Sequence, residues 1–80
     1  MSTKLLSSHE NLNVATDVGL ASYVRIFNGH ASSTALITNS NSNTISISSQ
    51  DVVVINKLPT ETLVSSITDG TTTASSVAVT

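Results

Sequence analysis

Thr44-Ile45-Ser46-Ile47-Ser48, then Ser49-Gln50-Asp51, then Val52-Val53-Val54-Ile55-Asn56-Lys57 is the stretch that decides the structural class of this chain. In the first run, isoleucine alternates strictly with hydroxylated residues, so one face of an extended strand is apolar and the other wet. The second run is apolar on both faces, the pattern expected of a central strand covered on each side. Valine, isoleucine and threonine are stiff at χ1 and sit well on a pleated surface. Ser49-Gln50-Asp51 between the runs reads as the turn of a hairpin.

Outward from this stretch the same rhythm continues. Tyr23-Val24-Arg25-Ile26-Phe27, Thr34-Ala35-Leu36-Ile37-Thr38, Thr62-Leu63-Val64-Ser65-Ser66-Ile67 and Ser75-Ser76-Val77-Ala78-Val79 are further strand candidates. Short strands at this spacing, separated by turn residues, are an all-β signature. Asn28-Gly29 and Asp69-Gly70 read as hairpin turns that accept positive φ, and Asn39-Ser40-Asn41-Ser42-Asn43 as a polar loop. Pro59 lacks an N–H, so Leu58-Pro59-Thr60-Glu61 ends a strand. Short connections imply an antiparallel meander or Greek key. The expected fold is all-β: a small antiparallel β-sandwich or partly closed barrel of about six strands spanning residues 22–80.

Residues 1–21 read as an N-terminal arm outside that domain. Ser8-His9-Glu10-Asn11 can cap a helix, but an extended segment feeding the first strand fits the weak periodicity better. Leu5, Leu6, Leu12 and Val14 find no place in a core filled by residues 22–79, and are expected to lie along a neighbour as an added strand. The arm is therefore expected to be removable without unfolding the domain.

Composition limits function as well as fold. Eighty residues make one small domain, with zero cysteines to staple it. Domains this small are marginally stable, and oligomerisation is a usual remedy. Lys4, Arg25 and Lys57 are the only cationic Lys or Arg residues, against five acids. Three scattered cations cannot neutralise a run of phosphates, so nucleic acid is not an expected partner. No apolar run approaches the roughly 20 residues of a membrane span, and Met1-Ser2-Thr3-Lys4-Leu5-Leu6 is too short for the apolar part of a signal peptide. Assembly in a cytoplasm is expected.

Catalytic constellations are not legible. A triad needs His9 or His30 as base and Asp17, Asp51 or Asp69 to orient it, and no Gly-x-Ser-x-Gly elbow occurs. His30 reads as an exposed turn histidine. His9, Glu10, Asp17 and His30 are conceivable metal ligands, but without a spacing motif. Gly19, Gly29 and Gly70 are isolated, so no phosphate cradle forms. The expectation is no enzyme, no cofactor and no metal. Arg25, projecting opposite Val24 and Ile26, reads either as an ordinary solvated strand residue or as an interface arginine, a type enriched where proteins meet. Lys57 and Glu61 read as a weak surface pair.

The segments Val24-Arg25-Ile26-Phe27-Asn28, Thr34-Ala35-Leu36-Ile37-Thr38 and Lys57-Leu58-Pro59-Thr60-Glu61-Thr62 together resemble the small β-rich virion proteins of tailed phages, particularly marine and cyanobacterial ones. The resemblance covers about residues 22–80. It implies a non-catalytic structural part of a bacteriophage virion: a capsid decoration protein, or a neck, tail or baseplate component. Its partners would be the major capsid protein or neck and tail proteins, and further copies of itself in an oligomer. A small glycan- or receptor-binding module is the alternative from another class, with Tyr23 as its one exposed-aromatic candidate.

Overall fold

A computed structural model describes residues 3–5 and 9–79, with side-chain surroundings for residues 9–78. Eight strands follow one another without a helix among the described residues: β1 (Thr3–Leu5), β2 (Glu10–Asn11), β3 (Tyr23–Asn28), β4 (Ala35–Asn39), β5 (Thr44–Ile47), β6 (Val52–Asn56), β7 (Leu63–Ser65) and β8 (Thr72–Val79). β3 to β8 answer to the six runs read from the sequence. They form two antiparallel sheets and no closed barrel: one in the order β1-β8-β3-β6, with β2 also on β8, and one in the order β5-β4-β7.

Alternation in the sequence becomes alternation of burial. Along β3, Val24, Ile26 and Asn28 are buried while Tyr23 and Arg25 are exposed. Along β4, Ala35 and Ile37 are buried and Leu36 is exposed. Both sheets and the residues before β3 contribute to one core of Leu12, Val18, Ala21, Val24, Ile26, Ala35, Ile37, Ile47, Leu63 and Ala74.

The connections differ from a meander. Among the described residues β4 and β5 form the one hairpin between consecutive strands, closed as expected by the asparagine-rich loop: Asn39 Oδ1 accepts from the Asn41 and Asn43 amides, each at 2.9 Å. This hairpin is nested inside the β3–β6 pair, and β7 and β8 return to β4 and β3. Asn28-Gly29, Ser49-Gln50-Asp51 and Asp69-Gly70 therefore turn the chain from one sheet to the other rather than closing hairpins. Gly29 has no positive φ; it is needed because a Cβ there would lie 2.7 Å from the Thr71 carbonyl.

Residues 10–21 belong to this fold rather than to a separate arm. Leu12 is fully buried. Its amide donates to Thr72 O of β8 at 2.9 Å, and its carbonyl accepts from Ser65 N of β7 at 2.9 Å. Thr16 and Leu63 exchange a further pair of backbone bonds. The Leu12–Thr16 segment thus laces the two sheets together along one side. The expectation that Leu12 faces a neighbour fails, because its side chain fills the core and its backbone bonds to β7 of one sheet and to Thr72 of the other.

Candidate interaction surface

Away from this laced side, the two sheets end in open edges among the described residues. β6 ends one sheet and β5 ends the other, and among the described residues no strand pairs with the outer edge of either. Between them lies a cleft of about 200 Å³ lined by Ile37, Ile45, Ile55 and Leu63, with Asn39, Asn43, Thr44 and Asn56 also at its walls. Four aliphatic side chains and three asparagines contribute to its lining.

Backbone bonds one residue beyond each end of β6 set which groups face outward. Asn28 N donates to Asp51 O at 3.0 Å, and Lys57 N to Ser22 O at 2.8 Å. Hydrogen-bonded positions alternate along an antiparallel pair, so residues 51, 53, 55 and 57 turn toward β3. Val52, Val54 and Asn56 turn their backbone groups to the outside. Val52 N is met by Asp51 Oδ1 at 2.9 Å, whereas Val54 and Asn56 present theirs to whatever lies beyond. On β5, the Asn39 N to Asn43 O bond places Thr44 and Ser46 outward by the same rule.

This edge is an unguarded one. Natural sheets blunt their edges with charge, proline or bulges, yet neither β5 nor β6 contains a charged residue or a proline. Val54 is 44% exposed and Val52 36%. The expectation that residues 52–55 form a central strand is corrected: the second apolar face is open, not covered. Arg25 of β3 stands exposed on the same outer face, opposite Val54 of β6 on one side and Ser75 of β8 on the other.

Of the other residues singled out in the sequence, Val14 is 71% exposed on the laced side. Leu5 lies in β1, opposite Val77 of β8, and Leu6 falls outside the described residues. Lys57 makes no ion pair with Glu61; it is buried, and its Nζ donates to the carbonyls of Leu58 and Pro59 at 3.1 and 3.0 Å. Burial pushes its pKa down against the opposing pull of Asp17 and Glu61. The Glu61 carboxylate instead accepts from Leu58 N, Asn39 Nδ2 and Asn41 Nδ2.

The fold does bring His30 beside Asp69, with Nε2 at 3.8 Å from Oδ2. The other ring nitrogen, Nδ1, accepts from the Ser32 and Ser33 amides at 3.1 and 3.0 Å. A general base needs that nitrogen for a hydroxyl proton, so this pair organises a loop. Hydrogen bonds from Thr71, and to a smaller extent the electrostatic attraction of nearby His30, hold the Asp69 carboxyl below its usual range. His30 is therefore a loop-ordering residue and not a free turn side chain. His9, Glu10, Asp17 and His30 do not converge, and no cluster of three His, Cys, Asp or Glu residues able to hold a metal occurs among the described residues.

Two features are not evident from the sequence. Asn28 is fully buried, its Nδ2 donating to Ser33 O and Ile47 O and its Oδ1 accepting from His30 N. A signal for it exists, since Asn28 falls on the Val24–Ile26 side of the alternation. The open side leaves no signal beyond the missing charges. Compared with protein-family models, curated proteins and solved structures, the chain has no significant match.

Proposed function

We propose that this chain is a non-enzymatic structural protein of a bacteriophage virion, a decoration protein that stabilises the capsid through strand-edge and apolar contacts. Its partners are virion proteins, the major capsid protein first among them. A sandwich-like stack of two sheets is the scaffold, and the open β5–β6 side is its working face, with Arg25 on the adjoining surface. The observation that carries the reading is the pair of uncharged, unpaired strand edges over an apolar cleft. A protein without partners gains nothing from leaving such edges unguarded, because they template pairing with other chains. The sequence resemblance supplies the virion, and the poverty of charge suits a surface to be covered.

Quantitative mass spectrometry of purified particles tests the proposal. Decoration predicts a copy number comparable with that of the major capsid protein. A copy number of only a few per particle moves the protein to the neck, tail or baseplate, and absence from particles overturns the virion assignment.

A further inference from the structure

We infer that His30 is a proton-operated clasp: when neutral, its ring holds the loop between β3 and β4 closed, and on protonation it releases that loop and turns to Asp69. The inference is independent of what the open side binds. His30 stands where three turns meet. Its amide donates to Asn28 Oδ1 at 3.1 Å, and its carbonyl accepts from Ser49 Oγ at 2.6 Å and Gln50 Nε2 at 3.1 Å. Its ring faces its own loop through Nδ1, and Asp69 of the turn before β8 through Nε2.

Hydrogen bonding fixes the state of the ring. Ser32 N and Ser33 N both point at Nδ1, at 3.1 and 3.0 Å, and a backbone N–H only donates. Nδ1 therefore keeps its lone pair, and the one proton of the neutral imidazole sits on Nε2, toward Asp69 Oδ2 at 3.8 Å. An imidazolium carries a proton on each nitrogen and accepts at neither. Protonating Nδ1 sets three N–H groups against one another, so the Ser32 and Ser33 amides leave the ring. Both residues are exposed, and water takes over their amides, so two modest hydrogen bonds are lost but no donor is stranded. The contact between Nε2 and Oδ2, too long for a hydrogen bond in the neutral arrangement, becomes charge-assisted, a kind that closes to about 2.7–2.9 Å.

Two acids lie on the turns packed against His30, and no Lys or Arg occurs in residues 28–33, 48–51 or 66–71. Asp51 has its Oδ1 bound to the Val52 amide. Asp69 has its Oδ1 bound by Thr71, which helps keep the carboxyl ionised and leaves Oδ2 to receive the imidazolium. Other bonds of the clasp survive, because they do not use the ring: Ser33 O still accepts from Asn28 Nδ2, and His30 O from Ser49 Oγ. Protonation thus loosens the loop tip without unfolding this end of the stack.

NMR of the intact protein reads the clasp. At about pH 8 the imidazole nitrogen shifts should identify the Nε2–H tautomer of His30, and the Ser32 and Ser33 amides should exchange with water more slowly than in an open chain. Histidines change charge between about pH 5 and 8. Over that range the protection of these two amides, corrected for the intrinsic pH dependence of exchange, should fall on the order of tenfold, in step with His30 and not with His9. The amides of Asn28 and Gly29, bonded to the Asp51 and Thr71 carbonyls, should keep their protection. His30→Asn separates the clasp from a general effect of acid. Asparagine Oδ1 occupies nearly the place of Nδ1, accepts from both amides and does not titrate, so protection should become independent of pH. An Nδ1–H tautomer at pH 8 overturns the inference. So does a ring that titrates while Ser32 and Ser33 stay protected, and so does an acid loss of protection that persists in His30→Asn.

Discussion

Asn28 joins the two sheets through a single buried amide, which bonds β3 to the end of β5 and to the loop after Gly29. Asn28→Ala would strand two carbonyls and one amide away from water. Each unsatisfied buried group costs about 1–3 kcal/mol, and an overall loss of about 3 kcal/mol in urea denaturation is expected. Thr72 presents the opposite case. Its Oγ1 is buried with no hydrogen-bond partner among the described residues. Thr72→Val replaces that hydroxyl by a methyl group of similar size and should raise stability by about 1 kcal/mol, seen as a higher urea midpoint with an unchanged slope. Asp69 carries a pH signature. Its folded pKa lies below the ordinary value, so its contribution is full above the unfolded pKa and is lost as pH falls through the folded one. The small stability difference between the natural protein and Asp69→Asn should therefore close in acid. A gap that widened in acid would contradict the Thr71 hydrogen bonds as its cause.

At the scale of elements, the most informative segment is the one whose sequence reads as a detachable arm. Removing residues 2–14 takes away Leu12 and both backbone bonds that lace β7 to β8. Truncation should abolish cooperative unfolding rather than leave a folded domain, and Leu12→Ala alone should cost about 2–5 kcal/mol. A cooperatively melting truncated protein would return residues 10–16 to the status of an arm. β6 calls for the converse revision. A buried position 54 or 45 would make aspartate ruinous, but Val54 and Ile45 are 44% and 39% exposed, so Val54→Asp should fold and fail in association. The reasons for what is legible are physical. Period-two alternation is local, so the six strands from Tyr23 to Val79 can be read from their own residues. Which edge stays unpaired depends on strand order, and an apolar run covered on both faces looks the same as one awaiting a partner. Leu12 is hidden likewise, because nothing near it in sequence reveals that Ser65 and Thr72, more than fifty residues on, will bond to its backbone.

Taken whole, the molecule has a thin core and one unfinished side. Its core cluster is aliphatic, and three of its ten members are alanine; Tyr23 is exposed and Phe27 only half-buried. Such a core offers little transfer free energy, and association should supply part of the stability through mass action. A melting temperature that climbs with protein concentration is the expected sign. The most direct test of the open side as working face is amide hydrogen exchange, residue by residue, in the dilute protein and in its assembled form. The account predicts that the amides of Val54 and Asn56 exchange quickly when dilute and become protected on assembly, while those of Val53 and Ile55, already bonded to β3, are slow in both. Unchanged rapid exchange at Val54 and Asn56 in the assembled protein would contradict it.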